Sequence, residues 1–157
     1  MTVLIDDTFD VLANDPLLAL REMGTGYRVR QSGEVVGVIL PSTARDGYSG
    51  DIRLLVGVDR SGSLAGVRVL SHRETPGLGD KVELKKSDWV LSFNGRSLEN
   101  PSSDGWAVTK DGGEFDAFTG ATVTPRAVVK AVRETLRFIE ENTTDLFEVG
   151  NGLETES

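Results

Sequence analysis

The chain has 157 residues, 38% of them apolar and 27% charged, the proportions of one globular domain rather than of a disordered segment. Seventeen Lys and Arg stand against twenty-five Asp and Glu, a net charge of −8, which repels phosphate backbones and disfavours nucleic acid as a partner. With no Cys and a single His, disulfide, thiolate, zinc-finger and Cys-ligated iron–sulfur chemistry are excluded, and a Ser-His-Asp hydrolase would have to use His72.

No apolar run approaches the ~18 residues of a membrane span, and the start Met1-Thr2-Val3 has no basic segment leading into an apolar one. The expectation is a soluble protein, or a soluble piece of a longer chain. Residues 8–23 read as helical, because Leu17, Leu20 and Met23 share one face. Asp15-Pro16 divides them into two short helices, with Asp15 capping the second and Gly24 ending it. Strands follow at 27–30 and 34–40 around a Ser32-Gly33 turn. Residues 41–50 read as a loop with its tip at 46–50. The best hairpin is 52–58 with 64–70, turning through 59–63, since Val67 and Val69 alternate with Arg68 and Leu70. Pro76, Gly77 and Gly79 break the loop 72–80. Residues 81–87 are polar, with room for a helical turn. Residues 89–93 read as a short strand stopped by Asn94-Gly95, and 106–108 as the start of another. The clearest element is a helix at 125–141, with Val128, Val129, Val132, Leu136 and Ile139 on one face, Thr124 as N-cap and Pro125 in the first turn. The fold class expected is α+β: a twisted, mostly antiparallel sheet with helices packed on it.

The segment richest in chemistry is Asp116-Ala117-Phe118-Thr119-Gly120-Ala121-Thr122-Val123-Thr124-Pro125. It is a small-residue loop running into a helix N-terminus. Gly120 and Ala121 permit close approach to the backbone, and Thr119, Thr122 and Thr124 supply hydroxyls. Unpaired N–H groups and the positive dipole end favour an anion beside Thr122. An ordinary helix cap has the same pattern.

Asp116-x-x-Thr119-Gly120-Ala121-Thr122 resembles the flavinylation motif of the FMN-binding domain shared by the G subunit of the Rnf electron-transport complex and the C subunit of the sodium-pumping NADH:quinone reductase. Thr119 stands where the family often has Ser. The stretch His72 to Lys81 resembles the family's ETPGLG loop. Lys86-Ser87-Asp88-Trp89, Phe93-Asn94-Gly95 and Asp111-Gly112-Gly113-Glu114-Phe115-Asp116 are similar to Rnf G subunits in order and spacing. The similarity runs over residues 26–141 and is closer to the Rnf protein than to the quinone reductase one.

The resemblance implies covalent FMN, joined through its phosphate to the Thr122 hydroxyl by a Mg²⁺-dependent flavin transferase whose substrate is this domain. Asp116 either helps position Thr122 or only turns the chain. Thr119, Gly120, Ala121 and Thr124 are implied as the rest of the motif's cofactor site, and Glu74, Thr75, Gly77 and Leu78 as its second half. Tyr48 and Trp106 are aromatic candidates for the ring or ribityl chain, though aromatics commonly serve as core. His72 reads as a surface or hydrogen-bonded histidine rather than an acid–base group, and Lys110 as a solvated cation. The implied role is an electron carrier, not a stand-alone enzyme, on the periplasmic side of a bacterial inner membrane. Its partners would be the other Rnf subunits, and its membrane anchor an N-terminal helix that this chain lacks. Residues 1–25 would then be a helical segment after that anchor, 26–145 the FMN-binding domain and 146–157 a flexible acidic tail. A soluble FMN-binding reductase module and a cofactor-free scaffold are the alternatives.

Overall fold

Alternating burial along the strands builds one sheet. In the computed structural model, which describes residues 3–148, five strands form an antiparallel meander. They are β1 (Val3–Val11), β2 (Gly24–Gln31), β3 (Glu34–Ala44), β4 (Ile52–Asp59) and β5 (Leu64–Ser71), each paired with the next. On β4, Ile52, Leu54, Val56 and Val58 are buried while Arg53 and Asp59 are exposed, the period of two that a half-covered strand requires. Leu40 lies opposite Val56 and Val56 opposite Val67, so the apolar side chains collect on one face. Ser32 and Gly33 both have positive φ, 54° and 84°, as a two-residue hairpin turn demands.

Helix α1 (Val123–Glu141) packs on β3 and β4. It buries Val128, Val129, Val132, Leu136 and Ile139, the stripe read from the sequence. With the antiparallel sheet, this makes the fold α+β as expected. No helix among the described residues is long and apolar enough to cross a membrane.

The structure corrects the expected helix at 8–23. Thr8 to Val11 continue β1, and the rest is irregular, with Asn14 and Ala19 at φ 61° and 57°. Asp15 accepts hydrogen bonds from the N–H groups of Leu17 (2.8 Å) and Leu18 (3.1 Å). It therefore closes a turn over Pro16 rather than starting a helix. Leu18 and Leu20 are buried while Met23 is 60% exposed, so the i, i+3 spacing was coincidental. The same finding removes the helical segment expected over 1–25.

Three further expectations change. Trp89–Phe93 is a 3-10 helix, not a strand, and turns Trp89, Val90 and Phe93 inward. Residues 106–108 contribute only an isolated parallel bridge, Val108 to Phe115. Strand β3 runs on to Ala44, so the loop expected at 41–50 is shorter. At the other end, Leu146 and Phe147 are buried in a π-helical turn, Thr144–Glu148, so the flexible tail does not begin at 146. Arg28 donates to the carbonyls of Leu146 (2.9 Å) and Asp145 (3.1 Å), and Arg60 to that of Phe147 (3.2 Å). The remainder of the expected tail, 149–157, lies outside the described residues.

Between β5 and α1 the chain is held by aromatic packing. Phe93 stacks on Phe115 at 4.9 Å, Trp106 lies 5.0 Å from Phe115, and Trp89 meets Phe93 and Phe118 edge-on at 5.3 and 5.0 Å. This cluster carries the 116–122 segment to the mouth of α1.

Candidate functional site

Gly120 sits at φ 77°, a left-handed conformation that Gly adopts without strain. It closes the Phe118–Ala121 bridge, where the Ala121 N–H donates to the Phe118 carbonyl at 3.1 Å. The next residue but one, Thr122, is the N-cap of α1, and its hydroxyl makes no capping hydrogen bond. Its carbonyl accepts the Arg126 N–H at 3.1 Å. The sequence-based choice of N-cap was Thr124, and the structure corrects it. Thr124 lies inside the first turn, and its buried hydroxyl donates to the Glu74 carboxylate.

Glu74 is the hub of the site. It is 4% exposed and also accepts the backbone N–H groups of Tyr48 (3.0 Å) and Ser49 (2.9 Å). One carboxylate thus ties the 46–50 loop, the 72–80 loop and the start of α1 together, and the three donors offset its desolvation. Gly79 makes the junction possible. A Cβ there would lie 2.7 Å from Thr124 Oγ1 and 2.8 Å from Glu74 Cβ. His72 Nδ1 accepts the Glu74 N–H at 3.0 Å, which directs its Nε2 to the Glu83 carboxylate. His72 thus braces the loop by hydrogen bonds, the second of the two readings that the sequence offers for it, surface or hydrogen-bonded. Behind the motif, the Trp89 indole N–H donates to the Asp116 carbonyl at 2.8 Å.

Thr122 stands on a ridge between two depressions. On one side is a cleft of about 370 Å³, with Thr75, Leu78 and Gly79 on one wall, Ala121 to Thr124 on the other and Tyr48 at the rim. On the other side is a wider groove of about 750 Å³ lined by Thr109, Lys110, Asp116 and Thr119. Gly120 and Thr122 border both.

Of the expected site residues, Tyr48, Thr75, Leu78, Gly120, Ala121, Thr122 and Thr124 come together on the cleft. Thr119 faces the groove. Glu74 lies buried, spent on structural donors. Gly77 sits in the loop's turn at φ 80°, its N–H donating to Asp80 Oδ1 at 2.9 Å. Trp106 belongs to the aromatic cluster and is 5% exposed.

Sequence reasoning missed Gly79 as a packing requirement and Val123 as a lining residue. It also missed the Asp111–Arg126 pair, in which Arg126 Nε and Nη2 reach the two carboxylate oxygens at 2.7 and 3.0 Å. A cation in the first turn of a helix opposes the dipole, and Asp111 neutralises it. The Arg126 hydrogen bond holds the Asp111 carboxyl below the usual range, and Lys110 adds to the effect. Among the described residues no group of three His, Asp or Glu is placed to hold a metal ion.

The arrangement fits a flavin phosphate ester. Thr122 has an uncommitted hydroxyl beside the unpaired N–H groups of a helix start. The cleft has small-molecule dimensions and apolar side chains, Leu78 and Val123, in its lining.

The profile of the FMN-binding domain family matches residues 47–137. The chain is similar to the G subunit of the ion-translocating oxidoreductase complex of Pseudomonas aeruginosa UCBPP-PA14, at 57% identity over 126 residues, 80% of this chain and 59% of that relative. The protein of the same name from Vibrio vulnificus YJ016 is 49% identical over 128 residues, 82% of this chain and 61% of the relative. The chain thus spans about three fifths of the length of these relatives. Among solved structures, the crystal structure of Shewanella oneidensis NqrC superposes with a TM-score of 0.58 at 25% identity, covering 81% of this chain and 63% of that one.

Proposed function

This chain belongs to the FMN-binding domain family, and from that premise we propose that it is the electron-carrying domain of an Rnf-type ion-translocating oxidoreductase complex, with FMN esterified to Thr122. The observation that carries the reading is the Thr122 hydroxyl, free of capping duty on a ridge between an apolar-walled cleft and a polar groove. Bound FMN supplies one-electron redox chemistry, and the protein supplies position and field.

The protein's own groups divide the work. Thr122 would hold FMN through Oγ1, which would bond to the flavin-side phosphorus of an FAD donor and give up its proton, with AMP as the leaving group. A flavin transferase with Mg²⁺ would perform this step, with Asp116, which lines the groove beside Thr122, helping to position or deprotonate that hydroxyl. The resulting diester retains about one negative charge, against roughly −1.5 to −2 for a monoester, and the N–H groups at the start of α1 stabilise it. Leu78, Val123 and Tyr48 offer apolar surface to a ring, while Gly120 and Ala121 let it approach the backbone. Glu74 acts at one remove, as a positioning residue that holds three segments around the cleft. A periplasmic location and a membrane anchor preceding this segment complete the reading, since a tether suits a compartment with no FMN supply.

The test is intact mass after co-expression with a flavin transferase. The expected result is a gain of one esterified FMN that survives denaturation, absent in Thr122→Val and kept in Thr122→Ser. An adduct mapped to another side chain would overturn the assignment. Flavin that separates on denaturation would point instead to a reductase module holding FMN without a covalent bond.

A further inference from the structure

A third depression, apart from the cleft and the groove beside Thr122, serves no step described so far. It is a groove of about 460 Å³ bounded by Ser49 to Asp51, Arg53 and Ser71 to Arg73. Its walls continue two of the three segments that frame the cleft. Tyr48 rims the cleft and Ser49 lines the groove, and both are held by Glu74. Arg73 lines the groove immediately before Glu74, and Thr75 immediately after lines the cleft. A molecule seated in the groove would therefore lie beside the exposed Tyr48 rim.

The groove is cationic in an acidic protein. Arg53 and Arg73 are exposed and make no ion pair or hydrogen bond among the described residues. Asp51 is its only acidic lining residue, and that charge is taken up by Arg21, whose Nε and Nη2 reach the carboxylate at 2.8 and 2.9 Å. Arg45 stands near enough to act on the same carboxylate, and its own donors go to neutral oxygens of Ala19, Leu20 and Asn14. The nearby acids are otherwise engaged: Asp46 with Lys130, Glu83 with His72, and Glu74 with its three donors. Arg21, Arg45 and Arg73 thus act on the Asp51 carboxylate and Arg53 lines the same groove, on a chain whose net charge is −8.

We infer that this arginine groove docks an acidic surface of a redox partner protein, seating it beside the Tyr48 edge of the flavin cleft. Unpaired guanidinium groups in a concavity recognise carboxylates by bidentate hydrogen bonds and steer acidic partners toward a cationic region. The groove lies between a loop and a strand end, so it admits protruding side chains, which a flat bilayer does not present. The inference rests on the flavin-carrier reading for its purpose, but the groove can be tested without it.

An acidic rubredoxin serves as the probe. Titrating the zinc-substituted form into the ¹⁵N-labelled full chain is expected to shift the amides of 49–53 and 71–73. The shifts should vanish in Arg53→Glu/Arg73→Glu and persist in Arg133→Glu/Arg137→Glu, which changes net charge equally on α1. With flavin-loaded chain, one electron passes from reduced flavin to ferric rubredoxin, giving the ferrous protein. That rate should fall about tenfold in the groove variant and little in the control. Shifts elsewhere, no shifts, or equal losses in both variants would overturn the inference. So would phosphatidylglycerol vesicles that move these amides where rubredoxin does not. A chain without covalent flavin would defeat the functional reading, while the amide map would still judge the groove.

Discussion

Glu74 shows how much one buried side chain decides. Its carboxylate accepts from two backbone N–H groups and from Thr124. Replacing it with Ala strands the buried Thr124 hydroxyl and frees two partly buried backbone N–H groups, and a loss of about 2–3 kcal/mol is expected from urea unfolding. Flavin loading should fall in the same variant, because the 46–50 loop loses its anchor to α1. Gly79→Ala attacks the junction from the other side. Its Cβ would press on Thr124 Oγ1 at 2.7 Å and Glu74 Cβ at 2.8 Å, a crowding expected to cost about 1–3 kcal/mol, read from the same unfolding midpoint. At this scale the sequence was legible where the site is local. Thr122, Gly120 and Ala121 lie in one short motif that resembles a known family. The Glu74–Thr124 bond joins residues fifty positions apart, and no spacing rule announces it.

Among the elements, legibility followed periodicity. Strand β4 alternates cleanly and helix α1 carries a single stripe, and both were readable. Residues 8–11 continue a strand in which Thr8 and Asp10 are exposed while Val11 is buried. The three apolar positions further on, Leu17, Leu20 and Met23, masked that alternation. The stretch Trp89–Phe93 is too short for period to separate strand from 3-10 helix, and its tight packing against Phe115 and Phe118 chose the helix. This aromatic cluster supports the motif in place of regular hydrogen bonding. Phe93→Ala is expected to cost about 3–5 kcal/mol. Hydrogen exchange should show the amides of 106–121 losing protection before those of β3 and β4.

At the scale of the molecule, acid stability follows from carboxylates held charged. Asp51 and Asp111 are lowered by hydrogen bonds from Arg21 and Arg126. For Asp59, burial acts to raise the value, but hydrogen bonds from Ser61 Oγ and the N–H groups of the 59–63 turn outweigh it and hold it down. Groups lowered on folding stabilise the native state fully above the unfolded value near ~3.9, and that contribution is lost as pH falls through the lower native values. The urea midpoint should therefore hold level from about pH 7 to pH 5 and drop below about pH 4. Asp59→Asn should make the drop shallower. The indole of Trp89, bonded to the backbone that opens the motif, also places a natural fluorophore behind the segment that carries Thr122, the proposed attachment residue. Isoalloxazine absorbs where tryptophan emits, so dimming of that emission would time the esterification reaction in the cuvette, with no label added to the protein.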